Sequence, residues 1–427
     1  MKSPAIVEST DEQRLSGMYT TGWDAGVEIS DRVAAILREV KARGDDALVD
    51  FAREFDDASF TRARLRVELP PLEAARAFVP ADVAAGLELA RERVTAFHAR
   101  QRVPDIEYDE RDGTRYAMLV RPLGSVGAYV PGGSASLPSS VIMTVVPAKL
   151  AGVSRIVVAT PPGTKSPINR AVLFACVLCG VDEVYAVGGA QAIAALAFGT
   201  KTIAPVDKIV GPGNVWVTEA KRQVFGRVGI DALAGPSEVL VVADESARAD
   251  YVAGEMLAQA EHDRHARVAA VSTSRDLLER IATALAAWDG ERNEIVDYVM
   301  EHSAWLIHAR SEDEIVDIVD RFAPEHLSIQ TRTPMQFVAR VRRSGAIFIG
   351  PSTPVAAGDY IAGTNHVLPT AGAARFASGL RLSDFTRTMS LVEYSDARMQ
   401  ADAARLESLA AFEGLPAHAR SARIRKR

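Results

Sequence analysis

The sequence predicts an α/β fold with two domains, each built on a mostly parallel sheet. Three observations carry that expectation. After about residue 130, short apolar runs alternate with helical stretches, the pattern of β-α-β units. The alternation starts again after the break Gly235-Pro236-Ser237, so there are two series. At 427 residues the chain is long enough for two or three domains with cores of their own.

Taken in order, residues 1–28 show weak periodicity and read as an arm or small cap. From Ser30 the pattern turns helical. Val33, Ile36, Leu37 and Val40 share a face, and Ser30 or Asp31 is placed to cap. Gly44 ends that helix, and Ala47, Leu48 and Phe51 begin the next. Residues 83–98 form a further amphipathic helix, and 103–113 are polar and loop-like. Strands are expected at 116–120, 126–130, 155–159, 183–187 and 208–210, with helices starting near Ser139, Ile168 and Ala190. The second series has strands at 238–242, 268–271, 305–308 and 346–349, and helices near 247–262, 276–288 and 312–320. A last helix spans 397–412. The expected division is an arm (1–28), a first α/β domain (29–128 with 237–380), a second (129–236) and a C-terminal tail (381–427). The tail is too short to hold a core alone.

Composition narrows the function. Hydrophobic residues make up 48% and charged residues 24%, as in soluble globular proteins. A net charge of −6 argues against general nucleic-acid binding, and the basic end 420–427 reads as a solvated tail. No apolar run approaches the ~18 residues of a membrane span. The N-terminus has no signal-peptide apolar region, which points to the cytoplasm. The only cysteines, Cys176 and Cys179, cannot make a disulfide framework. Their Cys-x-x-Cys spacing allows redox chemistry, but two small core residues one helical turn apart is the better account.

Three kinds of motif carry chemistry. Glu325 and His326 stand side by side after Pro324, in a turn entering a strand, where both side chains can reach one cavity. There an imidazole can take a proton and a carboxylate can activate water. Gly-rich turns Pro131-Gly132-Gly133-Ser134, Gly188-Gly189-Ala190-Gln191 and Gly211-Pro212-Gly213-Asn214 follow strands and precede helices. Together at one sheet end they would make a nucleotide crevice, although none is a dinucleotide fingerprint or P-loop. Gln259 and His262, three apart on a helix, share a face. With Asp359, His366 and the tail's His418 they offer imidazole and oxygen donors without thiolate, a set that suits zinc or a related divalent ion. His98, His265, His302 and His308 read as structural or exposed.

These strings identify a resemblance. The chain resembles histidinol dehydrogenase, the last enzyme of histidine biosynthesis, from Arg43-Gly-Asp-Asp-Ala47 to Ala417-His418. The matching segments include Val130 to Ser134, Val187 to Gly199, Asp207 to Asn214, Ala234 to Val239, Gln259-Ala-Glu-His262, Pro324-Glu-His326 and Gly358 to Pro369. The first 25 residues match little.

The resemblance implies two incomplete Rossmann-like domains and a cytoplasmic homodimer whose tail reaches the partner's active site. It implies oxidation of L-histidinol to L-histidine through the aldehyde, with two NAD, one water and one Zn2+ per subunit. Gln259, His262, Asp359 and His418 match the family's zinc ligands, which also hold substrate, and Glu325 and His326 match its acid–base pair. Ser237, His326, His366 and Glu413 match substrate contacts, and Tyr129, Gln191 and Asn214 match NAD contacts. The rivals are a related dehydrogenase acting on another polar primary alcohol, a zinc hydrolase using Glu325 or Glu261, and a non-catalytic scaffold. Glu413 and His418 favour an amine- and imidazole-bearing substrate. A hydrolase has no use for three glycine turns, and a scaffold has none for filled acid–base positions.

Overall fold

A computed structural model describes residues 3–22, 24–132, 137–163, 168–290 and 293–426. Among them are two six-stranded sheets and one three-stranded sheet. The first large sheet runs Ile6–Glu8, Ala304–His308, Arg267–Ser272, Glu238–Ala243, His326–Gln330, Ala346–Ile349, and every pairing in it is parallel. The second runs Arg66–Val67, Glu183–Ala186, Arg155–Thr160, Ser125–Tyr129, Lys208–Val210, Gly229–Ile230. Only its Arg66–Val67 edge is antiparallel.

Setting aside the added edges Ile6–Glu8 and Arg66–Val67, both sheets have the same order, third-second-first-fourth-fifth strand of the series. That is the doubly wound order without its sixth strand, an incomplete Rossmann-like sheet in each case. The direction in which strands are added reverses between the first and fourth strands, at Ser125–Tyr129 and Lys208–Val210 in one sheet and at Glu238–Ala243 and His326–Gln330 in the other. The central strands are buried on both faces, as β-branched apolar runs under crossover helices must be.

The third sheet was not legible in the sequence. Ile106–Asp109 lies in the segment expected to be loop, and Thr386–Glu393 in the tail. Both pair antiparallel with Arg115–Pro122. All four residues of Ile106–Asp109 are exposed, so no period-two burial pattern marks them. A stack of Tyr108 on Tyr116, with centroids 5.2 Å apart, joins the two strands.

Packing also overturns part of the expected domain division. Val33, Leu37, Val40, Leu48 and Ala52 pack on the sheet containing Ser125–Tyr129, not on the sheet of the second series. Leu87, Ala90 and Val94 pack on Ile142, Met143 and Phe174 of the same unit. The helices at 27–55 and 81–99 and the strand Ser125–Tyr129 therefore go with 129–236. Amphipathic periodicity says which face of a helix is buried, not which sheet covers it. The N-terminal arm is no separate cap: Ile6–Glu8 extends the first sheet, and Leu15 and Met18 are fully buried in its core. In the tail, the helices Asp396–Phe412 and Pro416–Arg423 pack on each other as a hairpin. Cys176 is buried and Cys179 half-buried, both as free thiols. Burial raises both, Cys179 to about 12, so neither is a thiolate at neutral pH.

Candidate active site

The glycine turns meet at the carboxyl ends of the second sheet's strands. Tyr129 closes the strand Ser125–Tyr129, and its buried hydroxyl accepts from Gly189 N at 3.2 Å. Gly211 has φ +111, and a Cβ added there would overlap the Tyr129 carbonyl oxygen, so only glycine fits. Cβ atoms added at Gly132 and Gly188 would lie 3.1 and 2.5 Å from Pro161, so those turns pack on one proline. Gly133 and Ser134 fall outside the described residues. Gln191 is buried in the first turn of the helix Gly189–Phe198, against Gly189. Asn214 is exposed and caps the helix Val215–Val224, its Oδ1 accepting from Val217 N at 3.2 Å. Asp231 accepts from Gly211 N at 2.7 Å, Lys221 donates to Gly211 O at 3.1 Å, and the two side chains form a buried ion pair. The third turn is thus clamped on both sides of its peptide.

Sequence reasoning missed one group at this edge. The helix Asp45–Phe55 begins beside Thr202, whose hydroxyl donates to Asp45 at 2.6 Å, beyond the far end of Gly189–Phe198. After it, Leu65 O accepts from Ala186 N at 2.9 Å. The helix therefore returns the chain to the glycine turns and leaves Asp56 there, where its charge acts on Tyr129. Burial pushes the Asp56 carboxyl up to about 6. An acidic residue just past a helix C-terminus opposes the macrodipole, and that was the available signal.

The Glu-His pair sits at the amino edge of the first sheet, at its switch point. Ala323 caps the helix Glu312–Phe322 in the left-handed region (φ 50, ψ 60), a conformation that non-glycine residues rarely adopt. Pro324 follows, and the strand starts at His326. Both side chains are buried and reach one place, with His326 Nδ1 3.5 Å from Glu325 Oε2. Glu238, first residue of the neighbouring strand, organises them. Its amide donates to Glu325 Oε2 at 2.9 Å, and its carbonyl accepts from His326 Nδ1 at 2.9 Å.

Whenever the ring is neutral, that bond makes Nε2 the nitrogen that carries the lone pair. Nε2 is buried without a hydrogen-bond partner, 3.7 Å from Asp359 Oδ1. Burial lowers the imidazole, but the Glu325 and Asp359 carboxylates more than reverse this, raising it to about 10. Burial pushes Asp359 up, yet the histidines 326, 366 and 262 hold it below its usual value. Burial lowers His366, whose Nε2 is also buried and unpartnered and feels the charges of Asp359, Glu325, His326 and His262.

The expected metal donors come together in part. Gln259 is buried on the helix Ala249–Ala260, while His262 lies just beyond it in an exposed turn, its N donating to Gln259 O at 3.3 Å. The helix ends two residues earlier than expected. Buried Glu255 on that helix accepts from Val355 N at 3.0 Å and so caps the short helix Val355–Tyr360 that carries Asp359. Gly358 is packed at the Phe348 ring, where a Cβ would lie 2.5 Å away. Ser237 is half-buried just before Glu238.

Glu413 and His418 are not brought there. They are exposed at the turn of the tail hairpin, among Leu409, Phe412 and Leu415, which are 63%, 92% and 42% exposed. Among the described residues, no group of three or more His, Cys, Asp or Glu side chains could hold a metal ion. Gln259, His262 and Asp359 carry an amide oxygen, an imidazole and a carboxylate, donor types that suit zinc, without being gathered into one group in the single chain.

A short segment joins the two edges. Asp231 holds the third glycine turn and Glu238 holds the Glu-His pair, and only residues 232–237 separate them, about 25 Å at full extension. A buried imidazole with a carboxylate beside it, joined by that segment to the glycine turns, suits hydride abstraction assisted by proton transfer.

Comparison with known proteins agrees. The family model for histidinol dehydrogenase matches residues 23–426. The histidinol dehydrogenase of Gluconobacter oxydans is 45% identical over 399 residues, 93% of each chain. That of Agrobacterium fabrum is 44% identical over 428 residues, covering 97% of this chain and 96% of the relative. The crystal structure of histidinol dehydrogenase from Elizabethkingia anophelis aligns with a TM-score of 0.92 at 32% identity, over 99% of this chain and 98% of that one.

Proposed function

The chain belongs to the histidinol dehydrogenase family, and from that premise we propose how its own residues carry out the reaction. The reaction is the NAD-dependent oxidation of L-histidinol to L-histidine through L-histidinaldehyde, in histidine biosynthesis.

In this reading His326 is the base of both oxidations and Glu325 activates the water between them. The observation that carries it is the buried, unpartnered Nε2 of a ring whose Nδ1 is tied to Glu238 O at 2.9 Å. In the first oxidation His326 Nε2 takes the hydroxyl proton as the carbinol hydride departs, leaving the aldehyde. Glu325 then takes a proton from the water that adds to the aldehyde carbon. In the second oxidation His326 takes the hydroxyl proton of the hydrated aldehyde, and the carboxylate remains. Each general-base contribution is worth about 10²- to 10⁴-fold. NAD, when bound, accepts the hydride in each step. Its contacts are Tyr129, Gln191 and Asn214, and the convergence of the glycine turns supports that placement.

Gln259, His262 and Asp359 would hold a zinc ion, with His418 as fourth ligand. A zinc ion there would orient the substrate's imidazole and amine and draw the Asp359 charge away from His326. Ser237, His366 and Glu413 complete the substrate contacts. The exposed apolar residues around Glu413 and His418 support a homodimer in which the tail completes the partner's site. A cytoplasmic location belongs to the same reading; among the described residues no helix is long and apolar enough to cross a membrane.

The test is stoichiometry. Two NADH per L-histidinol consumed is expected. Turnover of another primary alcohol, with none of histidinol, would move the assignment to a related dehydrogenase.

A further inference from the structure

We propose that Glu238 is the positioning residue for the Glu325-His326 pair, and that Arg267 makes the N-terminal arm part of that device. The inference rests on the acid–base reading of the pair.

Glu238 is completely buried at the start of the central strand of its sheet. The five residues after it, Val239 to Ala243, are all apolar, and a sixth would continue the run. A carboxylate here carries a desolvation cost that an apolar side chain would not. What the carboxylate does in return is specific. Its Oε2 accepts from Glu325 N at 3.3 Å, while the Glu238 amide donates to Glu325 Oε2. The two residues are locked reciprocally, main chain to side chain. Its Oε1 accepts from Ala371 N at 3.1 Å and pairs with Arg267 Nη2. The Glu238 carbonyl holds His326 Nδ1. One residue thus fixes the backbone and carboxylate of Glu325 and the ring orientation of His326.

Arg267 ties this to the chain's beginning. Its Nη1 donates to Met18 O at 3.1 Å and Thr20 O at 2.5 Å. Gly22 N donates to Ala371 O at 3.1 Å, so the arm also grips the residue whose amide serves Glu238. The guanidinium uses two separate nitrogens, Nη2 for the carboxylate and Nη1 for the two carbonyls, a spacing that the single nitrogen of an ammonium does not have. The arm therefore sets Arg267, Arg267 sets Glu238, and Glu238 sets the pair.

The test removes the ion pair without leaving a lone buried charge. In the full-length holoenzyme, Glu238→Met with Arg267→Met replaces it by apolar packing, which folded proteins tolerate. Folding is checked by circular dichroism and Tm. The expected result is a folded enzyme with KM for histidinol and NAD within about twofold of wild type and kcat lower by roughly 10- to 100-fold. Adding Glu325→Gln to that double variant should slow aldehyde oxidation no further than Glu325→Gln alone, because both act through one carboxylate.

Arg267→Lys is the second variant should the double one not fold. It keeps the charge but loses the bridge, and is expected to lower kcat several-fold at unchanged KM. Wild-type kcat in the folded double variant, or in Arg267→Lys, overturns the proposal, as do losses that multiply with that of Glu325→Gln. Glu325→Gln and His326→Ala are assayed alongside. If they are crippled while Glu238 variants are not, only the positioning role fails. If they are fully active, the acid–base reading fails and takes this one with it.

Discussion

The carbonyl of Glu238 accepts a hydrogen bond from His326 Nδ1 at 2.9 Å, which leaves Nε2 as the ring nitrogen able to receive a substrate proton. Glu325 lies on the Nδ1 side of the same ring, 3.5 Å away. The two groups therefore have different partners and can be separated by mutation.

Glu325→Gln keeps the side chain's shape and removes its basicity. It should slow aldehyde oxidation by about 10²-fold or more and alcohol oxidation far less, whereas His326→Ala should slow both. Single-turnover kinetics started from histidinol and from histidinaldehyde measure the two steps. Equal losses in both steps for Glu325→Gln would rule out its role as water activator.

Chelation should abolish histidinol turnover, and zinc should restore it. NAD binding should survive, because Tyr129, Gln191 and Asn214 lie on the other sheet's carboxyl edge. Metal content by elemental analysis and NAD titration of the stripped protein report this. Full activity in verified metal-free protein is the outcome that sinks the zinc assignment.

His326→Ala and His418→Ala are expected to be inactive separately and to complement when mixed as heterodimers. With the tail in the partner's site, one site carries both lesions and the other none, so about half the activity returns per heterodimer. If the tail served its own chain, each site would carry one lesion. A verified but dead heterodimer would reject the shared site and leave the zinc ligands standing.

Asp56 offers a pH-dependent stability test away from the metal set. Its folded-state carboxyl is raised to about 6 by burial, so its contribution to folding is present while it is protonated and fades as pH rises through that value. Asp56→Asn is neutral at every pH. It should therefore melt higher than wild type near pH 8, by roughly 1–3 °C, and at the same temperature near pH 4. Thermal melts at both pH values decide it; a difference independent of pH would show that the carboxyl's charge is not responsible.

The fold class was legible because it depends on local pattern. Buried parallel strands read as short β-branched runs, and crossover helices read as the stretches between them. The Glu325-His326 pair and the glycine turns were legible because their residue types are few and their neighbours short. Strand order and helix allegiance were not. The helices at 27–55 show which face is apolar, but only packing decided that they cover the sheet of Ser125–Tyr129. The exposed strand Ile106–Asp109 has no burial period to read, and it exists because Arg115–Pro122 offers it a ladder.

Glu238, Arg267 and Asp56 were invisible for a different reason. Each matters through partners 29 to 249 residues away in sequence, such as Glu238 with Arg267 and Arg267 with Met18 O. A polar residue's role depends on what it faces once buried, and a single sequence states the donor and acceptor types while the tertiary structure alone pairs them.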